Sequence, residues 1–72
     1  MKIYQAVYES RNFTFEGVST TETEAKKVLL RALKLHTKQY DLDAGWYHKD
    51  DIYVVGYELG KPYRDRQEMR LT

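Results

Sequence analysis

The sequence contains no cysteine, a single proline, and no apolar run that approaches the length of a membrane span. Without cysteine, neither a disulfide framework nor a cysteine-based zinc site is possible. A spanning helix needs about 20 apolar residues, and the opening residues MKIYQAVYES are too short and too polar for a signal peptide. We therefore expect a soluble, cytoplasmic protein that does not enter a membrane.

An excess of charge of either sign is also absent. Twelve basic residues stand against eleven acidic ones, so bulk charge does not favour nucleic acid as a partner.

A chain of 72 residues has room for one domain and buries only about 60% of its unfolded surface. We assign residues 1–61 to a single α+β domain and residues 62–72 to a charged C-terminal tail, either loose or a short helix.

Three segments are predicted to be β-strands: residues 2–9 and 12–18, which alternate and are rich in β-branched and aromatic residues, and residues 52–59. The first two are close enough to form a hairpin, and Pro62 prevents the third from continuing. We expect a turn at SR, residues 10–11, or at ESRN, residues 9–12. Either turn pairs Tyr8 with Phe13, Ala6 with Phe15 and Tyr4 with Gly17.

A helix is predicted between the second and third strands. Thr21 and Glu24 form a capping-box pattern at its start, and it should end near Tyr40. Apolar residues then recur at spacings of three and four, which is typical of a helix with one buried face. The members of this face are Ala25, Val28, Leu29, Ala32, Leu33 and His36.

The resulting order is β-β-α-β, which predicts an α+β fold. We expect a three-stranded sheet in the order 2-1-3, with one helix packed on one face. The aromatic face should lie beneath the helix, and if the third strand keeps the same phase it consists of Tyr4, Ala6, Tyr8, Phe13, Phe15, Tyr53, Val55, Tyr57 and Leu59. The other face would then carry Ile3, Val7, Val18, Ile52 and Val54.

That second face would be an aliphatic patch of the kind that usually marks an interaction site. The tail could fold back over it with Met69 and Leu71, or a second copy of the chain could pair with it. Homodimerisation would also stabilise so small a domain. We expect a homodimer, or a partner bound through the open sheet face or an edge strand.

The segment TETEAKKVLLRAL, residues 21–33, resembles the start of the HicB-type antitoxins, in which a hairpin leads into a capped helix with an early Glu-Ala pair. The proline- and glycine-rich stretch that is typical of that family's second strand is missing from FTFEGVS, residues 13–19. The sequence is therefore assigned to no family.

Neither metal binding nor catalysis is predicted. The spacing of Asp41, Asp43 and Gly45 departs from that of a calcium loop, and Ile52 stands where a bidentate glutamate is needed. His36 lies on the buried helix face, and no nucleophile is placed near His48 by its spacing. We expect no catalytic, metal or cofactor site, and no enzymatic activity.

The stretch GWYHKDD, residues 45–51, holds the only tryptophan in the chain beside a histidine and two aspartates. Tryptophan and tyrosine are enriched at binding hot spots, and loops on a rigid scaffold often carry function. Trp46 could equally cover the open end of a small core. We interpret the loop as a docking site for another protein, formed by Trp46, Tyr47, His48, Asp50 and Asp51.

An alternative site lies on the helix, where basic residues fall at positions i, i+4, i+7 and i+11 along one outward line. These residues are Lys27, Arg31, Lys34 and Lys38, and such a line suits contacts with phosphates.

Two hypotheses for the function follow from these two candidate sites. The first is a non-enzymatic protein-binding module that docks stoichiometrically on a larger protein, in the style of a phage or mobile-element inhibitor. The second is a small nucleic-acid-binding protein.

Overall fold

The computed structural model describes residues 1–70, in which one main helix packs on a three-stranded antiparallel sheet. The strands are β1 (Lys2–Glu9), β2 (Thr14–Ser19) and β3 (Tyr53–Glu58), and helix α1 spans Glu22–Gln39. Both β2 and β3 are antiparallel to the central strand β1. The predicted α+β fold, with the sheet order 2-1-3 and the helix on one face, is confirmed.

Helix α1 begins and ends where its sequence indicates. The side chain of Thr21 accepts a hydrogen bond from the backbone N–H of Glu24 at 3.2 Å, which satisfies one of the donors that a helix start leaves free. Its fully buried side chains recur every four residues and form the centre of the core with β1. They are Ala25, Leu29 and Leu33.

Helix α1 and strand β2 come into close contact at Gly17. A Cβ atom at this position would lie 2.5 Å from the carbonyl oxygen of Ala25 and 2.5 Å from the backbone nitrogen of Leu29. Both are backbone atoms that cannot rotate away, so only glycine fits. Across the sheet, Gly17 pairs with Ala6, which is also fully buried. Small residues on two neighbouring strands of the sheet therefore set the distance between helix and sheet.

The register of the first hairpin differs from the prediction by two residues. Tyr8 pairs with Phe15, and Ala6 pairs with Gly17, because the turn consists of residues 10–13 and therefore includes Phe13. A shift of two residues leaves each side chain on its predicted face. Tyr4, Ala6, Tyr8 and Phe15 accordingly lie on the helix side, as expected.

The phase predicted for the third strand is wrong. Val54 is opposite Ala6, and Ile52 and Val54 pack against the core under the helix. Directly paired residues point to the same side of a sheet, which places the odd-numbered residues of β3 on the far face. Both faces of this strand are apolar, so its sequence pattern does not indicate which face lies under the helix. The residues displaced from the helix side are Tyr53, Val55, Tyr57 and, by continuation, Leu59.

The predicted tail contains a small hairpin, where a loose segment or a short helix was expected. Strands β4 (Tyr63–Arg64) and β5 (Gln67–Glu68) are antiparallel and are joined by Asp65 and Arg66. Both turn residues have a positive φ, at 51° and 65°. This backbone matches the twist of a tight hairpin, although Asn-Gly is the usual sequence for it.

This hairpin places the side chain of Arg66 on the far face of the sheet. The guanidinium donates to Glu9 Oε1 at 2.9 Å, lies 3.7 Å from Glu16, and is 6.0 Å from the ring centre of Tyr53. These three residues surround Val7, since two are its cross-strand partners and Glu9 is two positions along β1. Val7 is fully buried, although it faces away from the helix.

The predicted aliphatic patch is therefore partly covered from within the chain. Tyr63 packs edge-on against Tyr57, with ring centres 4.7 Å apart. Met69 remains 42% exposed, while Val18 at the β2 end of the face is 55% exposed. Leu71, the other residue predicted to cover the face, lies outside the described residues.

The first prediction concerns the contact at Gly17. We expect Gly17→Ala to lower the free energy of unfolding by about 1–3 kcal/mol, because the added methyl group overlaps backbone atoms of α1. Gly56→Ala is the matched control, since its Cβ would meet only the Tyr4 ring at 3.5 Å, an ordinary contact. Denaturant unfolding of both variants tests this. Equal stability of the two would contradict the close contact.

The second prediction concerns Tyr57, whose hydroxyl donates to Gln5 Oε1 at 2.7 Å. Burial raises the pKa of Tyr57 above its ordinary value of 10.0, and the nearby charge of Arg66 partly opposes this shift. A raised pKa in the folded state contributes stability below pH 10.0 that is lost as the pH rises through the folded value. An alkaline absorbance titration should show a late phenolate component that Tyr57→Phe removes. Persistence of that component in the variant would show that another tyrosine produces it.

Candidate docking cleft

A cleft of about 600 Å³ opens where the β1–β2 turn faces the C-terminal end of α1. The turn forms one wall, the last helical turn forms another, and the chain that follows the helix closes the third side. The lining residues are Tyr8, Glu9, Ser10, Arg11, Asn12, Phe13, His36, Tyr40, Leu42 and Trp46.

The turn wall is held by Ser10. Its hydroxyl donates to the carbonyl oxygen of Phe13 at 2.7 Å and accepts from the backbone N–H of Phe13 at 3.1 Å. The backbone N–H of Ser10 donates to the same carbonyl at 2.8 Å. A serine side chain therefore closes this turn, and Phe13 is held at the mouth of the cleft with 56% of its surface exposed.

The helix wall is an aromatic cluster with His36 at its centre. Ring centres lie 5.6 Å away at Phe13, 5.0 Å at Phe15, 4.6 Å at Tyr40 and 5.5 Å at Trp46. Aromatic pairs at such separations stabilise by about 0.5–1.5 kcal/mol beyond the burial of their area. His36 is therefore part of the packed structure, and its imidazole ring contacts the ring of the exposed Tyr40.

The third side of the cleft depends on how the helix ends. Asp41 has a φ of 49°, and the backbone N–H of Leu42 donates back to the carbonyl oxygen of Thr37 at 3.0 Å. This is the 6→1 bond of a Schellman motif, with aspartate at the position that glycine usually occupies. The chain consequently turns back over the helix end and brings Leu42 and Trp46 to the cleft.

Trp46 is anchored by a hydrogen bond and by ring contacts. Its Nε1–H donates to Thr37 Oγ1 at 2.6 Å, and that hydroxyl donates to the carbonyl oxygen of Leu33 at 2.7 Å. The indole also packs edge-on against Tyr8, with ring centres 6.0 Å apart. Trp46 is half-buried, so it is both part of the core and a wall of the cleft.

The structure separates the five residues predicted to form a docking loop. Only Trp46 lines the cleft, while Tyr47 is half-buried against Tyr8 at 6.2 Å between ring centres. His48, Asp50 and Asp51 are exposed, His48 before and the two aspartates within the short 3₁₀ turn Lys49–Asp51, and none of the three lines the cleft.

The basic residues predicted to contact phosphates lie on the outer side of α1. Helical spacing places Lys27, Arg31, Lys34 and Lys38 opposite the buried residues, and all four are exposed. Lys27 lies 3.6 Å from the carboxylate of Glu24. This basic line and the cleft are therefore separate surfaces.

Four lining residues, Arg11, Phe13, Tyr40 and Leu42, are not among the predicted site residues. Tyr40 follows His36 by four positions, a spacing that brings side chains together on a helix, and this signal was present in the sequence. The chain reverses direction at Asp41 without the glycine that usually marks such a reversal in a sequence. Phe13 was assigned to a strand, so its position at the tip of a turn was not foreseen.

In the part of the chain that the structure describes, no group of three or more histidine and carboxylate side chains is arranged to hold a metal ion. Among the same residues, no helix combines the length and apolar character needed to cross a bilayer.

Comparison with known proteins gave no relative, since no family model, no curated protein and no solved structure matches the chain.

The third prediction concerns the loop that follows α1, in which Trp46 and Tyr47 are half-buried and His48 is exposed. We expect Trp46→Ala to lower the free energy of unfolding by about 3–5 kcal/mol, because it removes a half-buried ring and its bond to Thr37. Tyr47→Ala should also be destabilising, whereas His48→Ala should change stability by less than about 0.5 kcal/mol. Thermal unfolding of the three variants provides the measurement. A loss for His48→Ala as large as that for Trp46→Ala would contradict this division.

Proposed function

We propose that this chain is a small, non-enzymatic protein-binding module that docks stoichiometrically on a larger protein. The observation that carries the proposal is the aromatic cleft between the β1–β2 turn and the end of α1. An inhibitory role of the phage or mobile-element type and a cytoplasmic location, both expected from the sequence, form part of the same proposal.

Exposed apolar side chains at the mouth of the cleft support a docking role. Phe13 is 56% exposed, Tyr40 is 64% exposed and Leu42 is 39% exposed. Contiguous exposed apolar groups of this kind are typical of interaction sites. Binding energy in protein interfaces is concentrated in a few aromatic anchors that fill well-packed pockets.

The cleft is also pre-organised, which reduces the entropy lost on binding. Three backbone and side-chain hydrogen bonds hold the turn at Ser10 and Phe13, and the bond to Thr37 fixes Trp46. Because these walls are held before a partner arrives, little ordering is needed in the complex. The exposed residues His48, Asp50 and Asp51 would contribute the polar rim of the same interface.

Self-association belongs to the proposal as well. Strands β2 and β3 are the outer strands of the main sheet, and each has an edge that no strand within residues 1–70 covers. Unpaired edges are templates for pairing with another strand. A homodimer through such an edge, or through the part of the far face near Val18, would appear as a concentration-dependent mass in sedimentation equilibrium. A constant monomer mass would exclude it.

Nucleic-acid binding through the outer side of α1 is the second candidate. The exposed line of Lys27, Arg31, Lys34 and Lys38 is the observation that favours it. Four basic residues give only a modest affinity that falls steeply with salt, and Lys27 already has an acidic neighbour. We therefore rank this function below protein docking.

The fourth prediction tests the two candidates together. A stoichiometric protein partner captured from native lysate should be retained after nuclease treatment and lost, by tenfold or more, with the double variant Phe13→Ser and Tyr40→Ser. Both residues are largely exposed, so the fold should be preserved. Removing such aromatic anchors typically costs more than 1 kcal/mol each.

Two variants serve as controls for this experiment. Leu35→Ser removes an apolar side chain of matching exposure, 57%, from α1 outside the cleft, and capture should be unchanged. Lys27→Glu with Lys34→Glu reverses the charge of the basic line and should also leave capture intact. Capture that depends on the lysines and disappears with nuclease would replace protein docking by nucleic-acid binding.

A further inference from the structure

We infer that the cleft selects an aromatic residue at the C-terminus of a partner chain, its ring entering between the cleft rings and its terminal carboxylate meeting Arg11. This inference rests on the proposed docking function and specifies the chemistry of the partner at the same site.

The preference for a ring follows from the walls of the cleft. Tyr8, Phe13, Tyr40 and Trp46 all contribute to its lining, and His36 lies among them. The volume of about 600 Å³ lies within the range of small-ligand sites, which is ample for one aromatic side chain. A ring that enters can make offset or edge-on contacts with several of these groups at once.

The preference of the cleft for a negatively charged ligand follows from the ion pairs that its two charged lining residues, Glu9 and Arg11, do and do not make. Glu9 lines the cleft, but its Oε1 accepts hydrogen bonds from Arg66 at 2.9 Å and from the hydroxyl of Tyr53 at 3.1 Å on the far face of the sheet. Arg11 is exposed and takes part in none of the ion pairs found among residues 1–70. Of the two charged lining residues, the one without an ion-pair partner among residues 1–70 is thus the positive one.

Two further carboxylates lie near the cleft in sequence. Asp41 and Asp43 flank Leu42, yet neither belongs to the lining, and Asp43 Oδ1 accepts from the backbone N–H of Gly45 at 3.3 Å. A cationic ligand would therefore meet the guanidinium of Arg11, while the one carboxylate of the lining, that of Glu9, is already paired with Arg66. An anionic ligand would gain a charge-assisted, bidentate contact, the arrangement in which arginine binds most strongly.

The experiment uses three probes that share one ring and differ in charge. They are N-acetyltryptophan, an anion; N-acetyltryptophanamide, which is neutral; and tryptophanamide with a free amino group, a cation. Each is titrated into the full chain at low salt, and nuclear magnetic resonance shifts at Phe13, His36 and the indole N–H of Trp46 report binding. We expect affinity to fall from anion to neutral probe by roughly two- to fivefold, as for an exposed ion pair, and to be weakest for the cation.

Two variants distinguish the contribution of the Arg11 charge to binding from the contribution of the aromatic walls of the cleft. Arg11→Gln should remove the advantage of the anion over the neutral probe and leave the affinity for the neutral probe unchanged. Arg31→Gln, a matched change of an exposed arginine on the outer side of α1, should preserve that advantage. Equal binding of anion and neutral probe in the unaltered chain would overturn the charge preference while leaving the docking cleft in place. If no probe shifts the cleft signals, both this inference and the docking function at the cleft are wrong.

Discussion

The structure depends on the contact between two backbones at Gly17. Because no side chain separates strand β2 from helix α1 there, the axis of the helix lies close to the sheet, and its path along β2 is fixed. The first turns of α1 pass over Gly17, and its last turns consequently pass over Phe15, where His36 packs. A larger residue at position 17 would raise the helix and separate the rings at its far end. The geometry of the cleft thus depends on a residue that does not line it.

The cleft arises because two chain reversals meet at one end of the sheet. The β1–β2 turn extends past the last paired residues, and the helix extends past the edge of the core in the same direction. Between them the aromatic cluster fills only the inner part of the gap, and Trp46 closes it from the side. A domain with so few buried residues cannot cover all of its large rings, so some remain in contact with solvent. The same set of side chains therefore supplies both the packing of the core and the walls of the cleft.

Much of the fold could be predicted because its signals are local. Thr21 and the apolar spacing after it specify the helix, and the order of strands around a right-handed crossover left few alternatives. The errors arose where one local pattern suits two arrangements. The sequence does not distinguish a turn at residues 10–13, closed by Ser10, from one at residues 9–12 or 10–11, and β3 is apolar on both sides. The backbone of Asp41 and Arg66 lies in a region where glycine is expected, so neither reversal was visible.

The central position of β1 also governs the order in which the fold can be completed. Its contacts with β2 and α1 join neighbouring parts of the chain, and they can form as soon as those parts exist. Its contacts on the other side join residues far apart in sequence: the bond from Tyr57 to Gln5 spans 52 residues, and that from Arg66 to Glu9 spans 57. One edge of β1 therefore remains unpaired until β3 has left the ribosome. That interval is when intermolecular strand pairing, and hence aggregation, competes most strongly with folding.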